Sequence, residues 1–264
     1  LRMSKTIHFI SGMPRAGSTL LCNILAQNPQ FYTTATNGIL DIIFSVRNNW
    51  DNLIEFKAAP DEEAKKRVLQ GILSSFYEGI EKPIIFDKSR GWIAYIEMAE
   101  TILQRPPKIL VPVRDIRDIL ASFEKLWRKS SDTHQAVQER DNYFKWQTVE
   151  GRCEIWTSQE QPVGLAYNRI KDALTRGHKD KMHFVKYESL TRFPNQTLRE
   201  IYDFLEEEQF EHNFNHVEQV TWENDSIHGI PELHTIRPKV EPQNEQWPDI
   251  LGDAAIPYKG TELW

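Results

Sequence analysis

The chain has 264 residues, 40% of them hydrophobic and 27% charged, with a formal net charge of −6. That is enough apolar content for one sizeable core, or two, and it excludes bulk disorder. The acidic balance argues against general nucleic-acid binding while leaving room for a local basic pocket. The two cysteines, Cys22 and Cys153, lie far apart and indicate neither a disulfide framework nor a cysteine-based zinc site. No apolar run reaches the length of a membrane span, and the chain does not open on a secretory signal pattern, so a reducing cytoplasmic compartment is expected.

In chain order, Ile7 to Ile10 reads as a short buried strand. It ends in Ser11-Gly12; Gly17, then Ser18-Thr19, then the helical run LLCNIL follow. A strand passing through a glycine loop into a helix N-terminus cradles an anion, because backbone N–H groups point into the loop and the helix dipole adds partial positive charge. The spacing is that of a P-loop, G-x-x-x-x-G, but Ser18 stands where nucleotide triphosphatases carry lysine. Without that lysine, ATP or GTP hydrolysis is disfavoured; Arg15, inside the loop, supplies a different cation. A plain glycine turn is the alternative, and Pro14-Arg15 within the loop with Ser18-Thr19 behind it favours the anion cradle.

Asn28-Pro29 stops the first helix. Helical spacing returns over 38–50 and over 61–80, where Val68, Ile72, Leu73 and Phe76 fall on one face. Residues 83–86 form a buried strand ending at Asp87-Lys88-Ser89, a helix follows over 92–104, and KILVPVR at 108–114 is the clearest strand. Helices are expected over 116–128, 133–149 and 162–177, the last with Pro at its start and Gly past its end. A fourth strand covers 181–188 and an amphipathic helix 194–207; from about 221 the chain turns irregular and proline-rich. Alternating strands and helices imply an α/β fold, a P-loop-like parallel sheet with helices on both faces. The expected organisation is a single domain over 1–264, with a core of about 5–210 and an irregular C-terminal wrap of about 221–264. In such sheets ligands bind beyond the carboxyl ends of the strands, which aims Ser11 to Thr19, Asp87-Lys88-Ser89 and Arg114 at one crevice.

The stretch VPVRDIRDILASF, 111–123, ends a strand at Arg114 and places Ser122 two turns into the next helix. A guanidinium fork and a hydroxyl so placed grip a phosphate; alone, Arg114-Asp115 is equally a salt bridge at a helix start.

Together these motifs resemble the PAPS-dependent sulfotransferases (PAPS is 3′-phosphoadenosine 5′-phosphosulfate), closest to the bacterial and tyrosylprotein branches, whose loops read P-R-S/A-G-S/T-T. The resemblance implies that PRAGST, with Arg15, Ala16, Gly17, Ser18 and Thr19, holds the 5′-phosphosulfate, and that Arg114 and Ser122 hold the 3′-phosphate. VKYESL, 185–190, matches a family strand followed by Tyr-Glu-x-Leu and puts Tyr187 near the nucleotide. HTIRPKVEP, 234–242, resembles a late loop that closes over PAPS through Arg237 or Lys239. A P-loop without its lysine plus a separate Arg/Ser grip suits a ligand with a phosphosulfate at one end and an isolated phosphate at the other. Lys88 matches a family lysine near the bridging oxygen, with Arg15 sharing the leaving-group charge; a surface ion pair with Asp87 is its bland alternative. PAPS would be the co-substrate and PAP (3′,5′-adenosine bisphosphate) the product, with no metal required and no obvious metal-ligand cluster in the chain.

The general base does not carry over. The tyrosylprotein branch has a glutamate shortly after the first helix, where this chain reads TTATNG, 33–38. The cytosolic branch has a histidine two residues after the lysine, where this chain has Arg90. The candidates are Asp41, His228 and His234, with Asp41 first. The expected reaction is in-line transfer of a sulfuryl group to an acceptor hydroxyl, or secondarily an amine, on a small or carrier-bound molecule, with no nucleic-acid partner and an undefined oligomeric state. The segments 34–50, 90–97, 127–147 and 222–236, rich in aromatics (Trp50, Trp92, Tyr95, Trp127, Tyr143, Trp146, Trp222), either line the acceptor pocket or pack the core. The rival functions are a P-loop nucleotide kinase or other phosphotransferase, and a nucleotide-binding protein without turnover.

Overall fold

The computed structural model describes residues 5–130, 142–229 and 232–264. At its centre is a five-stranded sheet in the order β2-β3-β1-β4-β5, every pairing parallel. The strands are β1 (Thr6–Ile10), β2 (Phe31–Thr36), β3 (Ile84–Lys88), β4 (Ile109–Val113) and β5 (Met182–Lys186). Alternation within the strands divides the core. Ile7, Phe9, Ile85, Ile109, Val111 and Val113 face one apolar cluster, while Ile10, Phe86, Leu110 and Val185 face the other. Both faces are covered, as a parallel sheet requires. The first cluster is closed by α2 (Ile39–Asn52), α4 (Glu62–Phe76), α5 (Ile96–Leu103), α6 (Ile116–Lys129), α8 (Val149–Thr157) and α9 (Pro162–Thr175); the second by α1 (Ser18–Leu25), α10 (Tyr187–Arg192) and α11 (Pro194–Leu205). The short helices α3 (Ile54–Ala58), α7 (Tyr143–Trp146) and α12 (Trp247–Leu251) complete the described set.

From β1 the chain crosses to the edge strand β2, returns to β3 beside β1, and only then moves to β4 on the other side. The reversal opens a crevice at the carboxyl end of β1, between the ends of β3 and β4.

The structure departs from the sequence reading in several places. FYTTAT, left without an assignment, is β2; its buried Thr34 hydroxyl accepts the Lys88 N–H (2.9 Å), which ties the edge strand to β3. The fourth expected strand stops at Lys186, and Tyr187 starts a helix. Val68 and Phe76 are exposed on α4, and Leu69, Gln70 and Leu73 are the buried positions. Of the helix expected over 133–149, residues 133–141 lie outside the described residues; beyond them stand α7 and α8. Trp92 and Trp146 are buried core residues, Trp50 stacks on Phe56, and Tyr95 packs against Phe44. None of the seven aromatics offered for an acceptor pocket lines the cleft described below.

Residues beyond 205 are pinned to the body by side chains of the helical layer. Asn23 on α1 accepts the N–H groups of Val220 (2.6 Å) and Thr221 (3.1 Å). Asp118 on α6 accepts those of Gln246 and Trp247. Both cysteines are free and buried, and burial pushes Cys22 up to about 11 and Cys153 up to about 12, so neither is a thiolate near neutrality. No described helix is long and apolar enough to cross a membrane.

Candidate active site

A cavity of about 500 Å³ opens at the carboxyl end of β1. In a chain of net charge −6, its lining among the described residues includes seven lysine and arginine side chains and one carboxylate, Glu241. A local basic field of this kind draws an anion despite the acidic whole.

Its floor is the loop between β1 and α1. Gly12 lies so close to β4 that a Cβ there would collide with the Pro112 carbonyl. The loop turns through left-handed backbone at Arg15 (φ +57°) and Gly17 (φ +83°), the kind of curl that forms an anion nest. A Cβ on Gly17 would also lie 2.6 Å from the Tyr187 ring. No side chain caps α1, and Leu21 is the residue whose N–H bonds back to Gly17 (2.9 Å). Ser18, Thr19 and Leu20, whose N–H groups precede that bond, line the cavity. The backbone for an anion cradle is therefore in place; Ala16 itself turns into the core.

On the β4 side, Arg114 carries its guanidinium 4.5 Å above the Tyr187 ring. It donates to the Arg15 carbonyl (3.4 Å) and lies 3.7 Å from Asp118, while its buried Nε has no hydrogen-bond partner among the described residues. Ser122, on the same side, accepts from Arg15 Nε (3.0 Å), and Arg15 Nη1 donates to the Leu233 carbonyl (2.6 Å). The sequence reading had put Arg15 at the phosphosulfate end. The structure turns its side chain toward Ser122, at the opposite grip. Burial, then the neighbouring Arg114 charge, hold Arg15 below the ordinary guanidinium value. Two guanidiniums and a hydroxyl in one corner are a site for a doubly charged oxyanion.

On the β3 side, Lys88 and Asp87 point to opposite faces. Asp87 is buried and accepts from Trp92 Nε1 (2.7 Å), Asn37 Nδ2 (2.7 Å) and the Tyr77 hydroxyl; burial raises its pKa against those bonds. The surface pair of Lys88 with Asp87 does not form. Lys88, only 5% exposed, reaches Thr19 Oγ1 (3.4 Å) and Glu223 Oε2 (3.3 Å) instead.

Glu223 is the residue the sequence reading missed. Its carboxylate accepts the Thr36 N–H (3.2 Å) and hydroxyl (3.0 Å). It thus occupies in space the 33–38 stretch where a carboxylate was sought along the chain. Burial raises its pKa, but Lys88, the Thr36 bonds and His234 outweigh that and hold it below the usual value. His234 Nε2 lies 3.6 Å from Glu223 Oε2, and its Nδ1–H donates to Asp225 Oδ1 (2.6 Å). Asp225 also accepts the His234 N–H (3.0 Å), and these bonds keep Asp225 low against the cost of burial.

The remaining expected residues divide. Arg237 and Lys239 line the cavity from the late segment, though both are exposed and paired, with Gln243 and Glu241. Asp41 is exposed in the first turn of α2 and does not line the cavity. His228 does not line it either; its ring lies 5.6 Å from that of His234. No signal in a single sequence tells Glu223 from its many surface neighbours, because its role depends on a late segment folding back over β2 and β3.

The strand order and the uncapped loop-to-helix cradle define an α/β protein of the P-loop type. The sequence profile of the sulfotransferase family matches residues 8–212, most of the chain, which therefore belongs to the sulfotransferase family. Its fold is similar to that of the sulfotransferase domain from the Synechococcus PCC 7002 olefin synthase, at 21% identity over 95% of this chain and 90% of that one, with a TM-score of 0.57. Mouse sulfotransferase SULT7A1 complexed with PAP is similar at 14% identity, over 94% and 79% of the two chains, with a TM-score of 0.51. The sulfotransferase domain from the curacin biosynthetic pathway is similar at 20% identity, over 80% and 76%, with a TM-score of 0.50. No curated protein matches the chain.

Proposed function

We propose that this sulfotransferase takes its sulfuryl group from PAPS and passes it to an acceptor hydroxyl, or secondarily an amine, on a small or carrier-bound molecule. The observation that carries the reading is the pair of anion grips: the β1–α1 cradle with Lys88, and the Arg114–Arg15–Ser122 corner, where Arg114 Nε has no partner among the described residues. One adenine nucleotide with charge at both its 5′ and 3′ positions matches both. A nucleoside triphosphate, with its charge in one chain, matches neither the missing lysine nor the second corner.

In this reading the loop N–H groups and Thr19 hold the phosphosulfate end, and Arg114 with Ser122 holds the 3′-phosphate. Tyr187, beneath Arg114 and against Gly17, spans the two. Glu223, kept ionised, accepts the acceptor proton as its oxygen bonds to sulfur. Lys88 meets the charge left on the bridging oxygen as the sulfur–oxygen bond breaks and the electron pair stays with the phosphate. His234, tethered by Asp225, steadies Glu223 from behind. Positioning and charge stabilisation do most of the work in loose transfers of this kind. Glu223 replaces Asp41 as the proposed base because it alone of the two stands beside Lys88.

Calorimetry with PAP against ATP–Mg²⁺, followed by label transfer from radiolabelled PAPS to a panel of alcohols and phenols, tests the reading. PAP binding with labelled product is expected. Tighter ATP–Mg²⁺ binding would point to a phosphotransferase, and PAP binding without transfer to any acceptor would point to a nucleotide-binding protein.

A further inference from the structure

We propose that Glu223, His228 and His234 form a binding site for a zinc-type divalent cation, a site independent of any bound nucleotide. Each offers one ligand atom, and the three atoms lie within 4.8 Å of one another. The spacing, E-x4-H-x5-H, is short enough for one loop to supply all three.

The geometry is close to that of a metal site. Ligands at about 2.0–2.1 Å from a tetrahedral ion stand roughly 3.4 Å apart. His234 Nε2 and Glu223 Oε2 are already 3.6 Å apart. His228 needs the larger movement, and it sits exposed at the end of a one-turn 3-10 helix, Asp225–His228, that is capped by the Asn224 side chain. A carboxylate only accepts, so in the neutral ring the bond to Asp225 places the proton of His234 on Nδ1 and leaves the Nε2 lone pair toward the cluster, the form that a metal ion binds. A carboxylate behind a ligating imidazole is the usual outer-shell partner of a metal site.

Two imidazoles and one carboxylate suit Zn²⁺ and Co²⁺, and they suit Mg²⁺ and Ca²⁺ poorly because those ions want an oxygen shell. Lys88, 3.3 Å from Glu223, is the competing cation. Metal binding therefore draws Glu223 away from Lys88 and Thr36. On the proposed function, the same event would make zinc an inhibitor, because it removes the proton acceptor.

The test uses cobalt(II) as the probe, added to the full chain without an affinity tag and without nucleotide, so it reads metal binding whether or not sulfuryl transfer is the activity. One equivalent should give the visible absorption of four-coordinate cobalt, displaced by Zn²⁺ and untouched by excess Mg²⁺. Glu223→Gln and His228→Ala should each abolish the band, and Asp225→Asn should weaken binding roughly 10–100-fold. Circular dichroism of the metal-free variants checks that they fold. Absence of the band at millimolar cobalt, or its persistence in folded His228→Ala, would overturn the proposal.

Discussion

At the scale of single residues, the site rests on which charges are answered and which are not. Lys88 is buried, yet its neighbours are a hydroxyl and one carboxylate that itself sits on a separate segment. If Lys88 stabilises charge that appears only as the leaving group departs, Lys88→Ala lowers kcat far more than it lowers PAP affinity. An equal loss in both would make Lys88 a binding residue. Glu223→Gln keeps the shape and removes the proton acceptor. Turnover should fall about 10²–10⁴-fold with PAP affinity retained, and wild-type turnover would return the base to another residue. Asp41→Asn, a change on the exposed side of α2, should leave turnover unaltered.

At the scale of elements, the β1–α1 loop depends on a residue without a side chain where the Tyr187 ring closes on it. Gly17→Ala places a Cβ in left-handed backbone, at a cost of roughly 1–2 kcal/mol, and pushes it into that ring. PAP affinity should drop at least tenfold, measured by calorimetry, while far-ultraviolet dichroism stays unchanged; unchanged affinity would mean that the loop is not the cradle. This loop, α6 with Ser122, and the strand ends at Lys88 and Arg114 were all legible, because glycine spacing, apolar runs and strand-end charges are local signals. β2 was not, because two of the three buried positions of FYTTAT, Thr33 and Thr34, are threonines, and the Thr34 hydroxyl meets its partner, the Lys88 N–H, only in the folded sheet. Glu223 was hidden for a related reason. Its three charged or hydroxyl neighbours, Lys88, Thr36 and His234, come from three separate stretches of chain. The turn of Arg15 toward Ser122 likewise needs the late segment, whose Leu233 carbonyl receives it.

At the scale of the whole molecule, two buried histidines tie stability to pH. Burial pushes His212 down to about 4 and lowers His8 as well, although Glu207 opposes the latter. His212 accepts from the Tyr202 hydroxyl (3.0 Å), which in turn accepts from Asn28 (3.0 Å). Both folded values lie below the ordinary 6.5. As pH falls through 6.5 the unfolded chain takes up protons that the folded one refuses, so stability is lost from there down to about 4. Urea midpoints should decline over that window, less steeply in His212→Gln; an identical slope would remove His212 from the account. The larger claim is that the reversal of strand order around β1 brings two anion grips to one crevice, where they take the two ends of a single nucleotide. Calorimetry of PAP and of adenosine 5′-phosphate, on the wild-type chain and on Arg114→Ala, tests it most directly. The wild type should favour PAP by roughly 10–150-fold, the worth of one charged hydrogen-bonding partner, and Arg114→Ala should lose most of that preference, with Arg15 and Ser122 keeping the remainder. A preference for PAP that is undiminished in Arg114→Ala would contradict the account.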